Sequence, residues 1–526
     1  MEIKKFKFNR LLFIYVLMNL IPIEAQNIQY KEYSDENIIN SELYKKGNVY
    51  QKDLLLFVDL LKKTHPIFES DLCTAIDIDS VKNNGYLWSE NCNSIEQFKN
   101  YLQSIAVLLN DGHTSVFPSI NMNAVYPFSL FIDENDIYLY VVDKKYDHYL
   151  GSKVTKINQV PVFDVINSFK NLISSDNETY FLEKVSGFIQ FYDSWKYNPY
   201  SMPDSSLIFS FADKDDIILH PVSSNNMMIT PISVKNQEEL VTKRNRQPFS
   251  YVILPDKSIC YLQFNQCLDQ SDLRYKYEVS GTQLSNEELE KLLSQVPRFD
   301  SFVKNMMQEI KDQQIRTLVV DVRHNAGGNS KLCDILLSWL FPINDLQSIS
   351  SKIRISSLWE VHYPLLSSEF RAQFAKLDKP FIIGKLYNGF EFSDEDNSSI
   401  LSKMDDYFIV NKDSNEIFKG NVIFIQSPKT FSSAGMLITT AVDNKIGIVI
   451  GGESSYKPCS YGDLLGWELP NTNVQGFVSH KIFNRPDEKK CNEISIIPKI
   501  HIKAKFLDLV NGIDRCWDWI LEYYND

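Results

Sequence analysis

A serine stands where a predicted buried strand gives way to a helix, in the segment SPKTFSSAGMLITTAVDN, residues 427–444. Ser432 falls in the first turn of that helix, where the positive end of the helix dipole stabilises a developing alkoxide or oxyanion. A serine placed there can attack a carbonyl group as a nucleophile. Capping of the helix is the alternative interpretation, because serine is a favoured N-cap residue.

A second segment, TLVVDVRHNAGGNS at residues 317–330, predicts another strand-to-helix turn with two adjacent glycines, Gly327 and Gly328. Glycines let the backbone approach a ligand closely and turn its N–H groups outward, as an oxyanion hole requires. A tight turn without chemistry is the alternative. The usual phosphate-binding loop is excluded, because no Gly-Lys-Ser/Thr follows.

Two residues are candidates for the base that would activate a serine. His113, in LLNDGHTSVF, follows a glycine turn and precedes a strand. Histidine is the side chain that most readily exchanges protons near neutral pH. Lys457, in GGESSYKPCSYGD, lies in a loop after a predicted strand. A structural histidine and a solvated lysine are the alternatives.

The elements that must position these residues differ along the chain. Helical periodicity dominates residues 26–118, and alternating strand patterns dominate residues 119–245. After a polar stretch, residues 246–526 alternate apolar strands with helices, which predicts βαβ units and a partly parallel sheet. The fold class is therefore α/β and α+β multidomain, with a βαβ-containing catalytic core, an N-terminal helical region and a β-rich middle region.

Four motifs in this order, DGHTSV, VVDVRHNAGG, KTFSSA and GGESSYKP, resemble those of the tail-specific (C-terminal processing) serine peptidases and their tricorn-like relatives. The resemblance implies that Ser432 is the nucleophile and that the backbone N–H groups of Gly328 and Ser433 form the oxyanion hole. One branch of the family uses a lysine base, which maps to Lys457 with a shift of one residue. The other branch uses a histidine, which maps to His113 and is favoured here.

The sequence departs from the family pattern at two further places. Gly435 stands where many relatives carry an acid, and Pro498-Lys499 stands where Pro-Asp is frequent. The acid that would orient a histidine is then predicted to be Glu493. In the middle region, GSKVTKINQVPV resembles the edge of a PDZ-like module, which would dock an extended peptide by strand addition. A plain β insert is the alternative.

Residues 1–25 have the layout of a secretory signal. They contain four basic residues, a short apolar stretch over 11–23 and a small-residue cleavage site before Gln26. An uncleaved anchor is the alternative, and the sequence predicts no stable membrane span. We therefore expect an exported protein, periplasmic or extracellular, in which disulfides can form. Cys73/Cys92 and Cys459/Cys491 are the candidate pairs, and Cys333 is expected in the core.

The 526-residue chain has 44% hydrophobic residues and a formal net charge of −13, a globular composition that argues against nucleic-acid binding. The cysteine and histidine spacing indicates no metal site, and no cofactor is expected. Together with the resemblance, these features predict an exported serine endopeptidase that acts on peptides or unfolded proteins through an acyl-enzyme on Ser432. The alternative is a catalytically inactive relative that binds peptides or acts as a scaffold.

Overall fold

The computed structural model of the protein describes residues 30–69, 76–235, 242–243, 245–280, 285–388 and 416–524. The described residues do not include the predicted signal, its cleavage site before Gln26 or Cys73. The export signal and the Cys73/Cys92 pairing therefore stay predictions. Within the described ranges, no helix is long and apolar enough to cross a membrane.

The N-terminal region is mainly helical, as the periodicity predicts. Its longest helix begins at a capping box, in which Asn48 and Gln51 bond each other's backbone, and ends before Pro66. That helix buries an apolar stripe that includes Leu54, Phe57 and Leu61. The elements are β1 (Lys31–Glu32), α1 (Glu36–Ile39), α2 (Glu42–Lys46), α3 (Val49–Thr64), α4 (Ile78–Ser89), α5 (Ile95–Val107) and β2 (Ser115–Val116).

The middle region holds two small antiparallel sheets, in the orders β3-β4-β9 and β6-β5-β7-β8, around their own apolar core. Its elements are β3 (Phe128–Asp133), β4 (Asp136–Asp143), β5 (Val154–Ile157), β6 (Val160–Pro161), α6 (Val162–Asn167), α7 (Glu178–Phe188), α8 (Tyr192–Trp195), β7 (Leu207–Phe211), β8 (Ile217–Leu219) and β9 (Ile229–Pro231). Asn158 and Gln159 form the turn between β5 and β6 with φ of 52° and 65°. Both values are left-handed, which explains why Asn-Gly is usual in such a turn.

The C-terminal region builds a six-stranded sheet in the order β10-β11-β12-β15-β16-β19. Its strands are β10 (Phe249–Leu254), β11 (Ile259–Phe264), β12 (Thr317–Asp321), β15 (Asn421–Gln426), β16 (Ile448–Gly451) and β19 (Ile500–His501). Only the edge pair β10/β11 is antiparallel among these pairings. The carboxyl ends of the neighbouring parallel strands β12 and β15 therefore meet at one edge, where binding sites of such sheets form.

Helices cover this sheet and connect it to a second one. They are α9 (Gln270–Ser280), α10 (Asn286–Leu293), α11 (Phe299–Asp312), α12 (Ser330–Leu337), α13 (Ser357–His362), α14 (Pro364–Lys376), α15 (Ser432–Asp443), α16 (Phe506–Asn511) and α17 (Arg515–Tyr524). The alternation of strands and helices confirms the predicted α/β core with α+β additions.

The second sheet joins the two ends of the chain. Its order is β1-β17-β18-β13-β14, with β2 also paired to β18, where β13 is Ser350–Arg354, β14 Leu386–Asn388, β17 Ser460–Glu468 and β18 Gln475–Asn484. One core cluster contains Leu54 and Phe57 of the N-terminal helices together with Trp467 and Val478 of this sheet. The strand that follows His113 is thus fixed onto the C-terminal region.

Two cysteine predictions are confirmed. Cys459 and Cys491 form a disulfide, which links the loop after β16 to the segment before β19. Cys333 is buried on α12.

Candidate active site

Ser432 is the first residue of α15, and it is not the residue that caps the helix. Phe431 holds the N-cap position and makes no side-chain cap hydrogen bond. The backbone of Ser432 has φ of +49°, a left-handed conformation that strains a non-glycine residue and recurs at functional sites. Its hydroxyl has no hydrogen-bond partner among the described residues. The geometry therefore argues against the capping interpretation.

The glycine turn after β12 lies directly against this serine. Gly327 and Gly328 have φ of 106° and 128°, values that only glycine adopts readily. A Cβ on Gly327 would stand 2.6 Å from Cβ of Ser432 and 3.0 Å from the backbone nitrogen of Ser433. A Cβ on Gly328 would stand 2.1 Å from the carbonyl oxygen of Cys267. A side chain at Gly327 would collide with Ser432, and one at Gly328 would collide with the backbone of Cys267.

The two predicted oxyanion donors lie on these adjoining backbones. Neither the Gly328 N–H nor the Ser433 N–H has an acceptor within the described part of the chain. The Ser433 hydroxyl donates to the carbonyl oxygen of Gly328 at 2.6 Å, which ties the start of α15 to the glycine turn. The donors are thus held rigidly while their N–H groups stay available, as an oxyanion hole requires.

Asn325 and Thr430 hold the two loops together. The Asn325 side chain accepts from the Gly327 N–H at 2.9 Å and donates to the carbonyl of Phe264 at 3.0 Å. Its backbone carbonyl accepts from the Phe431 N–H at 3.1 Å. The Thr430 hydroxyl donates across the same gap to the carbonyl of Val322 at 2.9 Å. Both side chains are fully buried, so these bonds are shielded from water.

His113 lies beside the nucleophile segment and is 2% exposed. Its ring stacks on the ring of Phe431, the residue before Ser432, with centroids 4.6 Å apart. Its Nδ1 lies 3.5 Å from Oδ1 of Asp111, whose Oδ1 also accepts from the His113 N–H at 2.9 Å. On the far side, a Cβ on Gly462 would stand 3.7 Å from the ring. The ring is therefore fixed by contacts on several sides.

Asp111 is a buried carboxylate in a dense set of donors. Its Oδ2 accepts from the hydroxyls of Thr114 and Ser479, both at 2.6 Å, and from Nε2 of His65 at 3.0 Å. Because Nδ1 of His65 accepts from the Ile67 N–H, Nε2 is the nitrogen that donates to Asp111. Burial alone would raise the pKa of Asp111, but the hydrogen bonds and the two histidines hold that pKa well below its ordinary value.

A second buried carboxylate, Asp176, comes from the middle region. Its Oδ1 accepts from the Gly112 N–H at 2.7 Å and its Oδ2 from the Lys457 N–H at 3.4 Å. Burial raises the pKa of Asp176 to about 6, and nearby Asp111 adds to the rise while His113 opposes it. One donor atom each from Asp111, His113 and Asp176 lie within 4.8 Å of one another. A metal ion held there would compete with the bonds that already engage both carboxylates.

Lys457, the alternative base, is held mainly through its backbone. Its side chain is half-buried, and its ammonium group forms no ion pair among the described residues. The preceding Tyr456 ring lies on Gly435, where a Cβ would stand 2.2 Å from the ring. This contact explains why glycine replaces the acid that many relatives carry three residues after the nucleophile.

Glu493, predicted to orient the histidine, is engaged elsewhere. Its Oε2 accepts from Nη1 of Arg485 at 2.5 Å, and the same guanidinium pairs with buried Asp443. The Glu493 side chain is 46% exposed. The structure brings Asp111 and Asp176 to the His113 ring, and Asp463 also interacts with that ring electrostatically. The signal for Asp111 was its place in the DGHT motif, whereas Asp176 had no sequence signal.

The comparisons with known proteins concern the family and the fold. Residues 291–500 match the sequence model of peptidase family S41. That range includes Gly328, Ser432, Ser433 and Lys457, whereas His113 precedes it. No protein of curated function matches the sequence.

The chain is similar to three solved structures to different degrees. Mature CPAF complexed with lactacystin is 13% identical, with 89% of this chain and 96% of that chain covered and a TM-score of 0.58. Mature CPAF alone is 12% identical, with 89% and 94% covered and a TM-score of 0.56. The photosystem II D1 C-terminal processing protease is 11% identical, with 88% and 96% covered and a TM-score of 0.39. The resemblance seen in the motifs is confirmed over residues 291–500, which match the sequence model of peptidase family S41.

Proposed function

We propose that this protein is a serine endopeptidase that cleaves peptides or unfolded proteins through an acyl-enzyme on Ser432. The observation that carries the proposal is the strained, uncapped Ser432 packed against a glycine turn whose Gly328 N–H, like that of Ser433, has no acceptor in the described part of the chain. This arrangement offers a free hydroxyl and two backbone donors at one sheet edge, the parts that acyl transfer needs.

The reaction follows from these groups. The Ser432 oxygen attacks the peptide carbonyl carbon, and its proton passes to His113. The Gly328 and Ser433 N–H groups stabilise the oxyanion, a contribution of about 3–4 kcal/mol per donor in related chemistry. His113 returns the proton to the leaving amine, which leaves an ester on Ser432. Water then attacks the ester with His113 again as base, and the acid product and free serine are regenerated.

Export is part of the proposal. The basic and apolar N-terminal segment has the layout of a cleavable signal, and the Cys459–Cys491 disulfide suits an oxidising compartment. We expect the mature protein from its native host to begin at or near Gln26. N-terminal sequencing of exported protein measures this, and an intact Met1 would contradict cleavage.

The nucleophile is tested by two neighbouring variants of the mature chain. Ser432→Ala should abolish hydrolysis of a denatured protein substrate and labelling by a fluorophosphonate probe. Its thermal midpoint should stay within a few degrees, because the hydroxyl has no partner to lose. Ser433→Ala is the matched control, and it should keep measurable activity because its proposed role uses the backbone N–H.

Two outcomes would overturn the proposal. If Ser432→Ala stays active while Ser433→Ala is inactive, the nucleophile is the next residue. If wild type shows neither labelling nor hydrolysis yet binds unfolded peptides, the protein is an inactive peptide-binding relative.

A further inference from the structure

One short segment of the middle region, residues 176–180, touches the loops that carry the candidate catalytic residues. Asp176 bonds the amides of Gly112 and Lys457. Asn177 donates from its side chain to the carbonyls of Ile494 at 2.8 Å and Ser454 at 3.4 Å. This segment therefore lies at the junction of the histidine loop, the lysine loop and the irregular segment leading to β19.

Tyr180 completes the contact with the histidine loop. Its hydroxyl donates to the carbonyl of Gly112 at 3.4 Å, and its ring packs on Phe431 with centroids 4.5 Å apart. Gly112 is thus held at its N–H by Asp176 and at its carbonyl by Tyr180. The fit around Gly112 is tight, since a Cβ there would stand 3.1–3.2 Å from both residues and from Phe431. The backbone immediately before His113 is set by the middle region.

The segment is itself anchored, so it can serve as a fixed support. Asn177 caps α7 by accepting from the Tyr180 N–H at 2.9 Å. Ser174 accepts from the side chain of Gln103 on α5 at 3.0 Å. Ile173 and Phe181 on either side are buried in the middle-region core. A displacement of that core would move Asp176 and, through Gly112, the base.

We propose that Asp176 is a positioning residue for His113, which fixes the Gly112 backbone and places a negative charge beside the ring. The inference rests on the proposed function, in which His113 becomes positively charged when it takes the proton of Ser432. A second carboxylate within 4.8 Å, besides Asp111, stabilises that charge. The other ionisable groups that act on Asp176 are the phenols of Tyr180 and Tyr456.

The test compares Asp176→Asn with Glu178→Gln in the mature chain. The first substitution keeps the size of the side chain and removes its charge. The second removes a charge two residues away, where Glu178 pairs with Lys170 at the surface. Ring titration of His113 is followed by NMR in histidine-labelled protein, with the His113 signal assigned from the spectrum of His113→Gln.

We expect the His113 midpoint to fall by about one pH unit in Asp176→Asn and to stay unchanged in Glu178→Gln. In the same variant, kcat should fall roughly 10²-fold with little change in KM, and the acid limb of kcat/KM should move to lower pH. An unchanged midpoint in Asp176→Asn would overturn the proposal, whatever the activity.

The two proposals fail separately. If wild type is active but the titration midpoint of His113 is unchanged in Asp176→Asn, Asp176 is not a positioning residue. The proposal of a serine peptidase would still stand. Inactive wild type with a shifted midpoint would reject the peptidase while supporting the contact between Asp176 and His113.

Discussion

The loop of residues 111–114 and the loop of residues 452–457 each offer a base to Ser432, but the structure treats them differently. In the first, His113 is stacked on Phe431 and held beside Asp111, which accepts bonds from at least four donors. In the second, only the backbone of Lys457 is bonded, and its ammonium forms no ion pair among the described residues. The fold therefore fixes the histidine, whereas the lysine side chain has no partner among the residues that the structure describes.

The difference has a chemical consequence. A histidine needs little help to be neutral near pH 7, since its ordinary pKa is about 6.5. A lysine must lose its proton first, which requires burial in apolar surroundings. The Lys457 side chain is only half-buried. The structure thus favours His113 because its ring is held in place.

The largest expected effect is the loss of the His113 ring. His113→Ala should lower kcat/KM by about 10²–10⁴-fold, because general-base catalysis contributes about that much. His113→Phe is the matched control for packing, since it keeps an aromatic ring to stack on Phe431 and should be equally inactive. Steady-state kinetics on a denatured protein measure both. Substantial activity in His113→Phe would show that the histidine is structural.

Asp111→Asn should have the next largest effect, mainly on stability. The three donors at Oδ2 require an oxygen there, so the new amide group must face the His113 N–H at Oδ1. Two donors would then oppose each other in a buried site. We expect the free energy of unfolding to fall by about 3 kcal/mol at pH 7, measured by urea titration. A change below 1 kcal/mol would mean that the network is not as closed as the distances imply.

Asp176→Asn should change stability in the opposite direction. The folded-state pKa of Asp176, about 6, is above its ordinary value of 3.8, so the native state binds this proton more tightly. The free energy of unfolding of wild type therefore falls as pH rises through this window. The asparagine of the variant cannot ionise, so the free energy of unfolding of the variant should not fall in this window. Relative to wild type, the variant should become more stable by up to about 3 kcal/mol as the pH rises from about 4 to about 7. A constant difference across the window would contradict the shift.

The sequence predicted the parts of the site that lie on regular local patterns. Strand, glycine turn and helix mark the segments of Gly328 and Ser432, because buried parallel strands and helix starts have distinct compositions. The α/β core and the N-terminal helices followed from periodicity for the same reason. The DGHT motif located His113, and the disulfide between Cys459 and Cys491 was one of two pairs chosen.

The features of the fold and the site that the sequence did not predict depend on packing between residues far apart in the chain, which no local sequence pattern indicates. Asp176 lies 63 residues from His113 in an ordinary loop, and only the docking of the middle region brings it there. Glu493 was chosen by its place near the C-terminus, but Arg485 holds it. Strands β1 and β2 were not foreseen as partners of β17 and β18, because their two-residue length carries no signal.

The smallest expected effect is that of Lys457→Ala, and it decides between the loops. With His113 as base, the variant should keep at least about a third of wild-type kcat/KM, since only a charge near the site is lost. Lys429→Ala is the matched control, because Lys429 lies in the nucleophile loop with a half-exposed side chain paired at 3.7 Å with Glu183. Wild-type kcat/KM should rise through an apparent pKa of about 6–7 and then level off. An inactive Lys457→Ala beside an active Lys429→Ala, with a rate that still rises above pH 8, would identify the lysine as the base. His113 and Asp111 would then be a structural pair that supports the loop.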